Sequence, residues 1–410
     1  MYISHHPWSR RLITLGLAWA FAVLDAPPPA CAATGQAITI GAGSPVPVGA
    51  RYYVPDGSGP FPAVVVLHGV GGLWLHDNPA GNVMSTHFEE YAQLFAANGY
   101  ASLFVDSYTA RGLVEFSSRR PAEDPALDDA VCSPAYERPK DVFKALAFLQ
   151  SRPEIDANRL GLLGFSQGAE TSLASVLSPS INRATWTESF LKLDGTTVSK
   201  EVPAPPRIAN PPATPVFKVA VVYYPGCGFY GYYGDPKSTR TNLYMPYAPV
   251  LIQHGGDDPL YSANLYPDLM VAKAGAHAAA LGLGYNPMRI VVYPGATHSF
   301  DEANLLNLPP VESPNQTAKR LAREQALLWF NAFLKRPRLD ITRGAGGITL
   351  AWPGGVGIGY DLLGRASIDG SETVVSSVLS LSTSPRTEAD LGVSGSGMFI
   401  RLRAQLPAVH

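Results

Sequence analysis

The chain has 410 residues, 46% of them hydrophobic and 16% charged, a balance that supports a large core and excludes a disordered polar chain. A formal net charge of −2 argues against nucleic acid as a partner. The histidines are scattered, with no H-x-x-x-H pair at ligand spacing, so neither a metal nor a cofactor is expected.

Residues 1–33 read as an export signal. Arg10 and Arg11 precede an apolar run of 13 residues, 12–24, and Ala30-Cys31-Ala32 offers a small-residue cleavage site. The run is too short for a permanent membrane anchor. Ser9-Arg10-Arg11 suggests the twin-arginine route. Residues 62–68, ending in His68, are β-branched and apolar, as in a central strand covered on both faces, and run into Gly69-Val70-Gly71-Gly72. Glycines there let the backbone approach a substrate, so the Val70 N–H is a candidate donor to a developing oxyanion. A strand over 101–105 ends at Asp106, and a helix is predicted around 138–150.

The most informative run is Gly164-Phe165-Ser166-Gln167-Gly168. G-x-S-x-G is weak evidence in a chain with 39 glycines, but here it joins a short apolar strand, 159–163, to a helix of small residues, 169–177. Strand, sharp turn and helix make a nucleophile elbow, with Ser166 at the tip and the Gln167 N–H as the second oxyanion donor. Partners follow in the order Ser, Asp, His. A strand over 249–254, ending in His254, leads into Gly255-Gly256-Asp257-Asp258, where G-x-x-D spacing selects Asp258 and leaves Asp257 as the alternative. A strand over 289–293 leads into Pro294-Gly295-Ala296-Thr297-His298. With His298 as base, His68 and His254 read as structural. A strand over 217–223 and a helix over 316–333 complete an α/β alternation, a doubly wound, mostly parallel sheet spanning residues 34–336. The proline-rich stretch 179–216 has no periodicity. It reads as a long loop that, with the aromatic run 229–233, either walls the site or forms a surface excursion. After Pro337 the pattern becomes Gly-rich turns and strict alternation (Ile348, Leu350, Trp352; Met398, Ile400, Leu402), so 337–410 reads as a small all-β module, a sandwich.

His68-Gly69-Val70-Gly71-Gly72, Val105-Asp106-Ser107-Tyr108 with Arg111-Gly112, the 164–168 elbow, Tyr224-Pro225-Gly226-Cys227, Gly255 with Asp258, and Tyr293 to His298 together resemble the dienelactone hydrolase family of α/β-hydrolases, over about residues 60–300. Well-known members carry a Cys nucleophile and a glutamate after the strand-end histidine. Here those positions are Ser166 and Gly69, which favours a general serine-esterase mechanism, and Ala169 replaces a further elbow glycine. The resemblance implies a small-molecule ester or lactone substrate, with Arg111 and Tyr224 as substrate-binding residues and Arg111 receiving a carboxylate. The reading is therefore an exported serine hydrolase of esters or lactones with the triad Ser166, His298 and Asp258. The alternatives are a peptidase or acyltransferase on the same fold, and a non-catalytic surface-binding protein using the β module. Signal removal takes Cys31. The remaining Cys132 and Cys227 are expected to pair in an oxidising compartment, closing a loop of 96 residues between two loops above one sheet edge.

Overall fold

A computed structural model describes residues 35–113, 132, 134, 137–178, 185–191, 197–203, 216–225, 244–260, 266–283, 286–306 and 309–335, and the strands 340–344, 347–352, 359–365, 373–379, 386–389 and 399–405. For 185–191, 197–203 and every strand from 340 onward, the backbone course and pairing are described.

Among the described residues, ten strands precede the C-terminal region: β1 (Gln36–Ile40), β2 (Val48–Tyr53), β3 (Phe61–Leu67), β4 (Ala101–Asp106), β5 (Ile155–Phe165), β6 (Thr185–Leu191), β7 (Thr197–Pro203), β8 (Phe217–Tyr223), β9 (Val250–Gly255) and β10 (Met288–Tyr293). Interleaved with them among the described residues are α1 (Thr86–Ala97), α2 (Arg138–Gln150), α3 (Gln167–Ser175), α4 (Tyr266–Ala280) and α5 (Pro314–Leu334). The main sheet has eight strands in the order β1-β2-β4-β3-β5-β8-β9-β10. Pairing is antiparallel between β1 and β2 and between β2 and β4, and parallel from β4 to β10. This is the expected doubly wound α/β sheet.

Period-2 alternation divides the sheet's side chains between two cores. Ala63, Val65 and Leu67 of β3 face a cluster built with Val142, Ala145 and Leu149 of α2, Leu173 of α3 and Met270 and Ala274 of α4. Val64 and Val66 face the other side, against Phe88, Tyr91 and Phe95 of α1 and Ala322, Trp329 and Phe330 of α5. With both faces covered, β3 is apolar throughout and its neighbours are largely so. Ser313 caps α5 through a reciprocal capping box with Gln316, and Pro314 sits at its first turn, so the helix starts just before the predicted 316.

Two expectations need correction. The stretch 179–216 is not a bare loop: β6 and β7 pair with each other as an antiparallel hairpin, from Leu191↔Thr197 to Thr185↔Pro203. This ribbon pairs with itself and not with the main sheet among the described strands. Its proline closes the end of β7, where a missing N–H is tolerated. Cys132 is a free, buried thiol rather than half of a disulfide with Cys227. Its Sγ lies 3.4 Å from the Ser107 carbonyl, and burial pushes the thiol up to about 11. The Cys132 side chain turns toward the end of β4. Cys227 itself lies outside the described residues, as do 1–34 and the aromatic run 229–233.

Toward the C-terminus, β11 (Asp340–Gly344), β12 (Gly347–Trp352) and β15 (Arg386–Ala389) form one three-stranded antiparallel sheet. A second is formed by β13 (Gly359–Arg365), β14 (Thr373–Leu379) and β16 (Phe399–Gln405). Among the described residues, no helix is long and apolar enough to cross a membrane.

Candidate active site

The turn between β5 and α3 puts Ser166 at φ +49° and ψ −113°, a conformation outside the regions an L-residue ordinarily adopts. Such a backbone costs on the order of 1–3 kcal/mol and persists only when the surroundings fix it. Here they do. The Ser166 N–H donates to the Tyr223 carbonyl (3.0 Å), and its carbonyl accepts from Ala169 (2.9 Å) and Glu170 (3.2 Å) in the first turn of α3. A Cβ on Gly164 would stand 2.2 Å from the Gly168 oxygen, and one on Gly168 would stand 2.1 Å from the Leu67 oxygen. Only glycine allows helix, turn and neighbouring strand to approach this closely.

The other two side chains come from the adjacent pair β9 and β10. Their parallel ladder runs in step to Gly255↔Tyr293 and continues into the loops, where Gly256 N–H donates to the Tyr293 carbonyl (2.8 Å) and Asp257 N–H to the Ala296 carbonyl (2.9 Å). This zipped pair of loops leaves the Asp257 side chain exposed and buries Asp258 completely. Of the two acids, Asp258 is the one that meets His298: its Oδ2 lies 2.7 Å from Nδ1. Its Oδ1 accepts the Leu260 N–H at 3.0 Å. A carboxylate can only accept from Nδ1, so the imidazole keeps its proton there and offers Nε2 as acceptor to the Ser166 hydroxyl, 3.1 Å away.

The glycine-containing loop after β3 reaches the same place. A Cβ on Gly69 would lie 3.4 Å from the Ser166 Cβ. Neither the Val70 nor the Gln167 N–H bonds to another group among the described residues, so both donors are open. The supports beneath them are polar and buried. Arg138 donates to the His68 carbonyl (2.7 Å), and the Tyr108 hydroxyl donates to Gln167 Oε1 (2.9 Å). His68 Nδ1–H donates to the Gly69 carbonyl (2.7 Å), and Nε2 accepts the Ser107 N–H (3.3 Å). Burial, reinforced by Arg138, holds its ring far below the ordinary imidazole range. Burial also lowers His254. Both strand-end histidines thus belong to the framework.

Ser166 and His298 open into a cavity of about 390 Å³. Part of its wall, residues 73–85, was not singled out from the sequence. That segment closes on itself through a Trp74↔Met84 bridge and the bonds Leu75 N–H to Val83 O (2.9 Å) and Ser85 N–H to Leu73 O (3.0 Å). The Trp74 indole ties it to Asp106 (2.7 Å) at the end of β4. His76, Asp77, His87 and Glu302 also line the cavity and escaped sequence reasoning. The only cue was the Asn78-Pro79-Ala80-Gly81-Asn82 turn chemistry, which marks a loop without saying where it folds.

Tyr224 lines the cavity with its ring 4.5 Å from that of His298, centroid to centroid. Its hydroxyl is engaged elsewhere, on the buried Asp301. Arg111 is a correction. Its guanidinium is bidentate to the fully buried Asp141 (2.8 and 3.0 Å) and also bonds the Ser107 carbonyl (2.6 Å), so it ties the loop after β4 to α2 and is not among the cavity residues. Lys144 completes the cluster at 2.8 Å from Asp141. Among the described residues, no group of three or more His, Cys, Asp or Glu is placed to hold a metal ion.

The profile of the dienelactone hydrolase family matches residues 48–211 and 207–334. Acyl-coenzyme A thioesterase 5 of Mus musculus is 31% identical over 127 residues, which cover 31% of this chain and 23% of that protein. The peroxisomal succinyl-coenzyme A thioesterase of Mus musculus is 23% identical over 267 residues, 62% of this chain and 52% of that protein. The chain thus spans about a quarter to a half of the length of these relatives. Similar solved structures include a dienelactone hydrolase-like promiscuous phosphotriesterase from metagenomic libraries, 18% identical with a TM-score of 0.44, covering 74% of this chain and 99% of that one. A dienelactone hydrolase from Anabaena variabilis is 17% identical with a TM-score of 0.40, covering 74% of this chain and 100% of its own.

Proposed function

The chain belongs to the dienelactone hydrolase family; on that premise we propose that it is a hydrolase that cleaves carboxylic esters, lactones included, through an acyl-enzyme on Ser166. The observation that carries the reading is the continuous chain from Ser166 Oγ to His298 Nε2 (3.1 Å) and from His298 Nδ1 to Asp258 Oδ2 (2.7 Å). Ser166 attacks the ester carbonyl while His298 takes its proton at Nε2. Asp258 keeps the imidazole in the acceptor tautomer and stabilises the imidazolium. The Val70 and Gln167 amides receive the oxyanion, His298 returns the proton to the departing alkoxide, and water reverses the sequence to release the acid. No step calls for a cofactor.

A second reading, thioester hydrolysis, is supported by the similarity to acyl-coenzyme A thioesterases. A thiolate leaves with less help from an acid, so the same groups would serve. The N-terminal pattern supports export, with the chemistry in residues 34–336 and the module 337–410 outside it. The deciding test is turnover of a short-chain aryl ester and its thioester counterpart by purified protein. Ser166→Ala is expected to lower kcat by a factor on the order of 10⁴ or more. Equal activity, or equal inertness on both substrates, in wild type and variant would overturn the reading.

A further inference from the structure

Building on the ester reading, we propose that the cavity prefers substrates bearing a cationic group over those bearing a carboxylate, with Glu302 as the specificity-determining residue. Two carboxylic acids line the cavity, Asp77 and Glu302, and the described lining residues include neither lysine nor arginine. Neither acid's carboxyl group has a hydrogen bond or ion pair among the described residues; burial raises the Glu302 carboxyl above its ordinary value, against the pull of His298 and Lys319. The nearby cations are committed elsewhere: Lys319 bonds Glu90 (2.7 Å) and the Ala303 carbonyl (2.6 Å), and Arg323 bonds Glu90. The lining histidine His87 does not compensate, since burial holds it down at about 3 and therefore neutral.

The position that the family resemblance assigns to carboxylate binding points the same way. Arg111 is locked on Asp141 with only 4% of its side chain exposed, so it cannot receive a substrate anion without abandoning a buried partner. Aromatic rings supply the remaining recognition. Trp74, Phe88 and Tyr224 share the lining with the two acids, and a ring face beside a carboxylate suits an ammonium group. Glu302 lies in the short turn Phe300–Glu302 that begins two residues after His298, at the end of the cavity where the ester must sit.

Removing Glu302 also alters the surroundings of His298, so absolute rates are a poor readout and ratios between substrates are the proper one. Three aryl esters with acyl chains of equal length, ending in methyl, trimethylammonium or carboxylate, are compared at pH 8 and low salt. Wild type is expected to favour the trimethylammonium ester over the carboxylate ester by roughly tenfold in kcat/KM, as expected for a charge within several ångströms. High salt should shrink the ratio. Glu302→Gln should reduce it at least several-fold, and Asp77→Asn by less. The same three esters are titrated into the Ser166→Ala protein by calorimetry, which reads binding without turnover. Tighter binding of the cationic ester supports the preference even if no ester is hydrolysed, an outcome that sinks only the ester reading. Equal or inverted preference in both measurements, or a ratio unchanged in both variants, overturns the proposal.

Discussion

Two fully buried carboxyl groups lie in the neighbourhood of His298, and the protein treats them differently. On the β9 side, Asp258 has both oxygens engaged, one by the imidazole at 2.7 Å and one by the Leu260 N–H at 3.0 Å. Beside Tyr224, Asp301 receives the tyrosine hydroxyl on Oδ1, while its Oδ2 has no hydrogen-bond partner among the described residues. Burial, with a contribution from Glu302, pushes the Asp301 carboxyl up to about 7 against the pull of Tyr224, Lys319 and Arg323. Equal burial therefore does not give equal chemistry. The number and kind of donors around a carboxyl decide whether it serves as an anion or as a weak acid.

The largest expected effect comes from erasing the difference on the Asp258 side. Asp258→Asn leaves the shape but favours the wrong imidazole tautomer, and steady-state ester hydrolysis should fall about 10⁴-fold in kcat with little change in KM. A loss below about tenfold would remove the contrast. By contrast, Asp301→Asn should act on stability. The folded-state value is raised above the ordinary 3.8 to about 7, so the stabilisation from its bound proton is complete below about pH 4 and lost as pH rises through 7. That slope amounts to on the order of 4 kcal/mol. Denaturant titrations should find the slope in wild type and not in Asp301→Asn, whose hydrolysis at pH 8 stays within about tenfold.

Asp141 sharpens the comparison, because it is a buried carboxyl held by two cations. Arg111→Ala should cost about 3 kcal/mol in the same titrations and leave KM for esters unchanged. A raised KM with intact stability would return Arg111 to the substrate. The smallest change is Tyr224→Phe. Losing the hydroxyl removes the bond that lowers Asp301, so the midpoint of the stability–pH curve should move upward. Stability at neutral pH should drop by about 1 kcal/mol.

The sheet and the three contacting side chains were legible because each depends on local spelling. A glycine on each side of Ser166 signals the turn that holds it at positive φ, and Asp258 and His298 each follow an apolar strand directly. Arg111 and Cys132 were misread because a loop of mixed composition carries no period, and their partners Asp141 and Ser107 are fixed only when α2 docks on the sheet. The wall at 73–85 was missed for a related reason: its closure is a single-residue bridge, and its anchor to Asp106 is a long-range contact of one side chain. The β6–β7 ribbon pairs with itself among the described strands, and its sequence carries no apolar period.

The zipped loops after β9 and β10 also constrain how the chain can change in length. Gly255 is so close to the opposite loop that a Cβ there would stand 2.5 Å from the Ala296 oxygen, and hydrogen bonds join the two loops beyond the last strand residues. Substitutions around this seam leave the ladder in step. A one-codon insertion or deletion within either strand shifts the ladder by one place and turns every later side chain to the opposite face of the sheet. Asp258 and His298 would then leave their common side together with the seam. Outside Gly255, descendants of this gene can thus change spelling along β9 and β10 without moving the ladder, while a change in the number of residues there separates acid from base in a single step.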